Sequence, residues 1–338
     1  MNKKIRIGVL CPSEIAFRRF VPSLLRCDGF EYVGVAVASK KEWESSINAE
    51  ENLSSIIQNE YEKAQKFVES YGGKIYDSYE NMISDDLIDA VYIPLPPALH
   101  YKWGRKAVVA KKHLFMEKPF TTDAKKSKKL IELAKENDVA VHENYMFVYH
   151  SQIEHIKEII ESGDLGEIRN IKTAFTFPMR EKNDFRYKKE LGGGALLDCG
   201  GYPIRLMTEL MKNPEVVASR LYYIDGFEVD FYGSVMLCSQ EFPAQVCFGM
   251  DNTYKCELEI QGSKGLLYTD RIFTAPDDFV PRLVLKNSTE VRNVELKSDC
   301  TFSKSILRFH KSILNKDLRE KMYSDIIKQA ELIEQVKE

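Results

Sequence analysis

Lys118, Asp198 and Tyr202 are the side chains of this sequence best suited by type and setting to handle a proton. Lys118 lies in Met116-Glu117-Lys118-Pro119, directly after the short apolar run His113–Met116. At the carboxyl end of a strand in a doubly wound sheet an ammonium meets the crevice where ligands bind, and the proline after it narrows its backbone choices. Asp198 and Tyr202 lie in Leu191-Gly192-Gly193-Gly194-Ala195-Leu196-Leu197-Asp198-Cys199-Gly200-Gly201-Tyr202-Pro203. On a helix their spacing of four puts a carboxylate and a phenol on one face. The three glycines ahead of them indicate that the backbone approaches something closely. Each reading has a plain alternative: a strand-end lysine is commonly just solvated, and an Asp–Tyr pair can be a satisfied part of a core. Tyr254, after Asn252-Thr253, either reaches a ligand or is an exposed sheet tyrosine.

A second set of residues suits phosphate. The strand Lys4–Leu10 runs into Cys11-Pro12-Ser13-Glu14-Ile15-Ala16 and then a helix, Ile15–Leu25. A dinucleotide turn commonly reads G-x-G-x-x-G/A; here Cys11 and Ser13 take the two leading glycine positions, and only Ala16 fits the pattern. The unpaired N–H groups of a helix start can still receive a phosphate. The Ser13 hydroxyl adds a donor and Arg18 or Arg19 a charge, although a solvated helix face accounts for the arginines equally well. The second strand, Tyr32–Ala38, ends in Ser39-Lys40-Lys41. A hydroxyl and two ammonium groups suit a ribose 2′-phosphate, where a carboxylate would suit the 2′-hydroxyl, so the cofactor expected is NADP in preference to NAD. Two ordinary surface lysines are the alternative.

The elements that must position these groups change character along the chain. Strand runs Lys4–Leu10, Tyr32–Ala38, Ala90–Ile93, His113–Met116 and Val139–His142 alternate with helical patterns Ile15–Leu25, Asn52–Tyr71, Leu99–Ala110 and Thr122–Asn137. Continuous apolar strands alternating with helices predict an α/β, doubly wound parallel sheet covered on both faces, a Rossmann domain over residues 1–145. Beyond it a helix, Gln152–Glu161, leads to Glu167–Phe177 and a helical stretch around Ala195–Met211. The strand-like runs Val216–Ile224, Val229–Met236, Ala244–Met250, Cys256–Ile260, Leu266–Asp270, Arg282–Leu285 and Val291–Leu296 follow. They predict an α+β domain with a large, open, mostly antiparallel sheet over residues 146–338, for substrate binding and oligomerisation. In the tail, Ile326, Ala330, Ile333 and Val336 form one apolar helical stripe. A sheet face left uncovered calls for a partner, so a homodimer or homotetramer through that sheet is expected.

Bulk properties exclude several classes. The 338 residues carry 48 Lys plus Arg against 51 Asp plus Glu, a net charge of −3, which argues against a nucleic-acid binder. Met1–Leu10 lacks a signal peptide's long apolar core, and no uncharged run approaches the ~20 residues that span a bilayer. The 7 cysteines are scattered and never spaced as CxxC, which points to reduced thiols in a cytoplasmic protein. No metal is expected: His142, His150 and His155 form no ligand pattern, and His113 reads as a satisfied structural histidine.

With these segments assembled, the sequence resembles the Gfo/Idh/MocA family of nicotinamide-dependent oxidoreductases over nearly its whole length. The resemblance rests on the βα start ending in Ile15-Ala16, Tyr92-Ile93-Pro94-Leu95-Pro96-Pro97-Ala98-Leu99-His100, Glu117-Lys118-Pro119, Glu143-Asn144-Tyr145-Met146-Phe147 and the Gly-Gly-Gly-Ala-Leu-Leu-Asp run. Cys11 and Ser13 depart from the family's glycines, and Tyr202 stands where most members carry His. With Phe17-Arg18-Arg19 and Ser39-Lys40, that tyrosine is similar to the branch of nucleotide-sugar C-3 ketoreductases of deoxysugar pathways; glucose–fructose oxidoreductase also has a tyrosine there. The resemblance implies that Lys118 is the catalytic lysine and Tyr202 the proton donor. It implies too that Asp198 and Arg186 line the nicotinamide and substrate side, and that Leu95, Pro96, His100 and Glu117 lie along the cofactor. The expected reaction moves a hydride from NADPH to a ketone of a sugar or nucleotide-linked sugar, bound by Lys118, Asp198, Tyr202 and Tyr254. Either Lys118 assists the phenol or it donates directly; the sequence leaves both open. The alternatives are an NAD(P)-dependent sugar or polyol dehydrogenase working oxidatively, and a cofactor-binding regulator without catalysis.

Overall fold

Short β-branched and aromatic runs without polar alternation suit a parallel sheet covered by helices on both faces. In the computed structural model, which describes residues 3–44 and 53–338, they form one. Strands β1 (Ile5–Leu10), β2 (Phe30–Ala36), β3 (Lys74–Tyr76), β4 (Ala90–Ile93), β5 (His113–Met116) and β6 (Val141–Glu143) pair in parallel in the order β3-β2-β1-β4-β5-β6. Strand order reverses between β1 and β4, the switch point at which such sheets bind ligands. Helices Leu53–Tyr71, Pro97–Val109 and Ala124–Glu136 match the expected ones to within three residues; Asn52, the expected start of the first, lies outside the described residues. The short β3 and the helix Tyr79–Ser84 carry too few residues to have shown a period.

The second sheet has strands β7 (Ile168–Thr176), β8 (Glu215–Tyr223), β9 (Asp230–Cys238), β10 (Pro243–Gly249), β11 (Lys255–Gly262), β12 (Gly265–Asp270), β13 (Arg282–Asn287) and β14 (Val291–Glu295). Their order is β14-β13-β12-β11-β7-β10-β9-β8, and only β7 and β10 run in parallel. Burial alternates along β9: Phe231, Val235 and Leu237 face a core, while Tyr232 and Met236 are exposed. Ile153, Ile156, Ile204, Leu206, Ile333 and Val336, from helices Ser151–Ser162, Gly201–Leu210 and Lys316–Lys337, fill that core.

The chain clusters into two compact units: residues 1–121, 125–144 and 302–326 in one, 122–124, 145–301 and 327–338 in the other. A single cut at residue 145 therefore misses a return of the chain. Helix Thr301–Leu314 buries Phe302, Ile306 and Phe309, and the Phe309 ring meets Phe115 of β5 at 5.5 Å. Arg319 donates to the Asp138 carbonyl, and the Tyr323 hydroxyl to that of Val139. Of the apolar stripe in the tail, Ile326 falls in the first unit and Ile333 and Val336 in the core of the second.

Two helical segments among the described residues widen to π geometry. Ala16–Phe20 and Leu196–Gly200 are π-helical, each followed closely by a proline, Pro22 or Pro203. Proline lacks the N–H that would bond four residues back, and the preceding residues bond five back instead: Val21 N–H to Ala16, Gly201 N–H to Leu196. No helix among the described residues is long and apolar enough to cross a membrane. The cysteines are free, and the described residues hold no group of His, Cys, Asp and Glu fit for a metal ion.

Candidate active site

Cys11 takes the conformation its position asks of a glycine, with φ of +100°. The turn therefore exists without the glycine. Its thiol lies 3.9 Å from the Glu60 carboxylate, and burial, reinforced by that charge, pushes its pKa up to about 12, so it is a neutral thiol at pH 7. Ser13 caps the following helix: its Oγ accepts from the Ala16 N–H at 3.3 Å and its carbonyl from the Phe17 N–H at 3.0 Å. Glu14 is exposed and pairs with Arg18, while Ile15 is half-buried and Ala16 buried where helix meets strand. Arg19 lies over the Phe302 ring.

At the end of β2 the hydroxyl expected to meet a phosphate has another partner. Ser39 Oγ and its N–H both donate to Glu42 Oε2, at 2.9 and 2.7 Å, and Glu42 also accepts from the N–H groups of Tyr79 and Glu80. Lys40 and Lys41 are exposed, in the first turn of helix Lys40–Glu44. Sequence reasoning missed Glu42, although Ser39-Lys40-Lys41-Glu42 is a capping-box pattern that announces it.

Lys118 follows β5 as expected, and the groups behind it are buried. Glu117 Oε1 accepts from the Tyr92 hydroxyl and the Asn144 amide, both at 2.7 Å, and burial raises its carboxyl pKa. The Lys118–Pro119 peptide is cis. His100 is wholly buried; its ring nitrogens lie 2.7 Å from the Leu95 carbonyl and 2.8 Å from the Pro119 carbonyl. It thus lies between the loop after β4 and the loop after β5, its one N–H in the neutral ring donating to one of the two carbonyls and its other nitrogen facing the second. Burial pushes its pKa down to about 4, against the two carbonyls, which favour the charged ring. Leu95 is buried, and Pro96 opens helix Pro97–Val109.

In the second unit the approach signalled by the glycines is to the chain itself. A Cβ on Gly193 would overlap the Arg186 carbonyl, and one on Gly194, at φ +113°, the Asp230 carboxylate. Asp230 accepts from the Leu196 N–H at 2.6 Å and anchors the start of the helix bearing Asp198 and Tyr202. Asp198 Oδ2 accepts from Arg186 Nε at 2.8 Å, and Arg186 Nη1 donates to both oxygens of Asp184 at 3.0 and 3.1 Å. The two carboxylates raise the guanidinium pKa against its burial, so Arg186 stays charged. Tyr202 is buried edge-on to Tyr145 at 5.2 Å and Phe175 at 5.2 Å, with Phe147 at 5.8 Å and Phe273 at 6.1 Å. Asp198 and Tyr202 thus have different neighbours, because the first lies in the wide π turn and the second in the α-helix after it. Tyr254 is 44% exposed, bonded to Thr274 Oγ1 and covered by the Arg271 guanidinium, just ahead of β11.

The first unit therefore assembles the Cys11–Ala16 turn, the Ser39–Glu42 box, His100, Glu117 and Lys118; the second assembles Arg186, Asp198 and Tyr202 around one helix. The anchoring roles of Asp184, Asn144 and Asp230 also went unread, since their partners lie far off in sequence or behind a three-residue turn.

The pattern described as "Oxidoreductase family, NAD-binding Rossmann fold" matches residues 30–145, and that of the "GFO/IDH/MocA C-terminal domain" matches residues 153–268. The first match begins past the turn whose glycines are replaced. A dTDP-3,4-didehydro-2,6-dideoxy-alpha-D-glucose 3-reductase of Actinomadura kijaniata is 32% identical over 98% of this chain and 95% of its own. One of Saccharopolyspora spinosa is 32% identical over 93% of this chain and 89% of its own. The crystal structure of KijD10, a 3-ketoreductase from Actinomadura kijaniata in complex with NADP and TDP-benzene, superposes with a TM-score of 0.89 at 32% identity, covering 99% of this chain and 97% of that one.

Proposed function

As this chain belongs to the GFO/IDH/MocA oxidoreductase family, we propose that it is an NADP-dependent oxidoreductase that reduces the 3-keto group of a nucleotide-linked deoxysugar. The observation that carries this is the near full-length similarity to dTDP-sugar 3-reductases, together with Lys118 at a strand end of a switch-point sheet. The positive φ of Cys11 and the Ser13 cap suit the turn to a pyrophosphate, with Glu14, Ile15 and Ala16 around it. Ser39, Lys40 and Lys41 would take the 2′-phosphate, for which Ser39 must give up its bond to Glu42. Leu95 and Pro96 would lie beside the cofactor, with His100 and Glu117 as the groups that hold its loops.

When bound, NADPH supplies the hydride that reduces the carbonyl carbon. The chain's part is the proton. We assign it to Lys118 and Tyr202 as an acid pair: the ketone oxygen takes a proton from the phenol or the ammonium as the alkoxide forms, and the product is the alcohol. The ammonium also favours the phenolate left behind. Asp198, held by Arg186, would accept from sugar hydroxyls, with Tyr254 at the rim. We assign the coenzyme to the first unit, substrate and self-association to the second, and the protein to the cytoplasm, which its free thiols favour. Val217, Tyr222, Tyr223, Tyr232 and Met236, exposed on neighbouring strands, support a homodimer or homotetramer through that sheet.

The test is NADPH oxidation with dTDP-3,4-didehydro-2,6-dideoxy-α-D-glucose, alongside NADH and a panel of sugars and polyols with NADP. Turnover of the keto-sugar with a preference for NADPH is expected. Oxidation of a free sugar or polyol alone would reverse the assignment, and coenzyme binding without any turnover would make the protein a regulator.

A further inference from the structure

A chain of buried hydrogen bonds stands behind Lys118, and one of its members comes from 161 residues beyond the next. Ser305, on helix Thr301–Leu314, is wholly buried, as is His142 of β6, and Asn144 nearly so. Glu117 Oε1 accepts from Tyr92 and from the Asn144 amide nitrogen. That leaves Asn144 Oδ1 in need of a donor, and Ser305 Oγ gives its proton there at 2.8 Å. A serine has one hydroxyl proton, so the 2.7 Å contact between Ser305 and His142 must be made by the imidazole Nε2–H. The donors then run in one direction, from the His142 Nε2–H to Ser305, from Ser305 to Asn144 and from one Asn144 amide N–H to Glu117. With Glu117 ionised, turning the Asn144 amide over would set its oxygen against a carboxylate, so the arrangement with the amide nitrogen on Glu117 is the one that fits the carboxylate. Its other parts are held firmly: the His142 ring stacks on Phe115 at 4.6 Å, and the Asn144 N–H is bonded to the Met116 carbonyl.

We propose that Ser305 is a positioning residue for Lys118: it keeps the Asn144 amide in the orientation that ties down Glu117, and so fixes the turn from which the lysine acts. This rests on the reductase reading above. It gives the returning segment 302–326 a part in the chemistry beyond filling a core.

The test is steady-state kinetics of the full chain with NADPH and dTDP-3,4-didehydro-2,6-dideoxy-α-D-glucose for wild type, Ser305→Ala and Ser305→Cys. For Ser305→Ala, kcat is expected to fall about 10- to 100-fold, with both KM values within about twofold of wild type, because the lysine is displaced while the binding surfaces stay. Ser305→Cys keeps a weak donor of nearly the same shape and is expected to recover part of the loss. An unchanged kcat in Ser305→Ala overturns the proposal, as does a fall matched by rises in both KM values, the mark of general loosening. If Ser305→Ala does not fold, Ser305→Cys carries the comparison: lowered kcat at steady KM supports the proposal, and wild-type kcat overturns it. A wild type without turnover overturns the reductase reading and the proposal together, whereas an active wild type with an unaffected Ser305→Ala overturns the proposal alone.

Discussion

The two units hold their candidate proton donors by opposite means. Behind Lys118 stand hydrogen bonds: Tyr92 and Asn144 on Glu117, and His100 between two backbone carbonyls. Around Tyr202 stand rings, those of Tyr145, Phe147, Phe175 and Phe273, and glycines that let the helix come close. A hydrogen-bonded placement fails when one atom is lost, since a buried polar group left unpaired costs about 1–3 kcal/mol. A packed placement degrades with volume. The first unit should therefore be sensitive to isosteric polar changes, and the second to changes of size.

The sharpest contrast is Tyr202→Phe, which removes the proton and leaves the ring. Turnover is expected to fall about 10²–10⁴-fold, with NADPH affinity and thermal stability near wild type; Lys118→Ala should cost a similar factor. Full activity in Tyr202→Phe would remove the phenol from the acid pair. Next comes Phe147→Ala, expected to destabilise by about 3–5 kcal/mol in denaturant titration, by emptying the ring cluster in which Tyr202 sits. A loss below 1 kcal/mol, taking ~1 as the size of an ordinary substitution, would deny the packed placement. Gly201→Ala is smaller, at about 1–3 kcal/mol, because the new methyl overlaps the Tyr145 hydroxyl. In the Tyr145→Phe background much of that cost should disappear, and additivity of the two would show that no such clash exists.

The last contrast is a pH dependence in the first unit. His113 Nδ1 accepts from the Ala140 N–H, and burial, with Arg319 nearby, lowers its pKa from 6.5 to about 4. The unfolded chain takes up a proton below pH 6.5 while the folded one waits until about 4. The stability due to this group is thus whole above 6.5 and is lost as pH falls through that window. His113→Gln should flatten the decline of Tm between pH 6.5 and 4, and an unaltered slope would contradict it.

Most strands of both sheets were legible because they are written as short β-branched and apolar runs, such as Val91–Ile93 and Val235–Leu237; the alternation of burial along β9 shows only in the structure. Lys118 and Tyr202 were legible because each follows a local signal, a strand end and a glycine run. The residues that hold them were not. Asn144 and Ser305 meet only through tertiary structure, Asp230 reaches the Leu196 N–H from another strand, and the return of residues 302–326 to the first unit is written in no spacing. The glycines at 193 and 194 announced close contact correctly but not with what: the contact is the Arg186 carbonyl and the Asp230 carboxylate.

The most direct measurement is the fate of the hydride. NADPH deuterated at the transferred position of the nicotinamide C4 is incubated with the protein and dTDP-3,4-didehydro-2,6-dideoxy-α-D-glucose, and the sugar product is read by mass spectrometry and NMR. One deuterium on C3, bearing the new hydroxyl, is the expected result; a product without deuterium, or with it on another carbon, would contradict 3-ketoreduction.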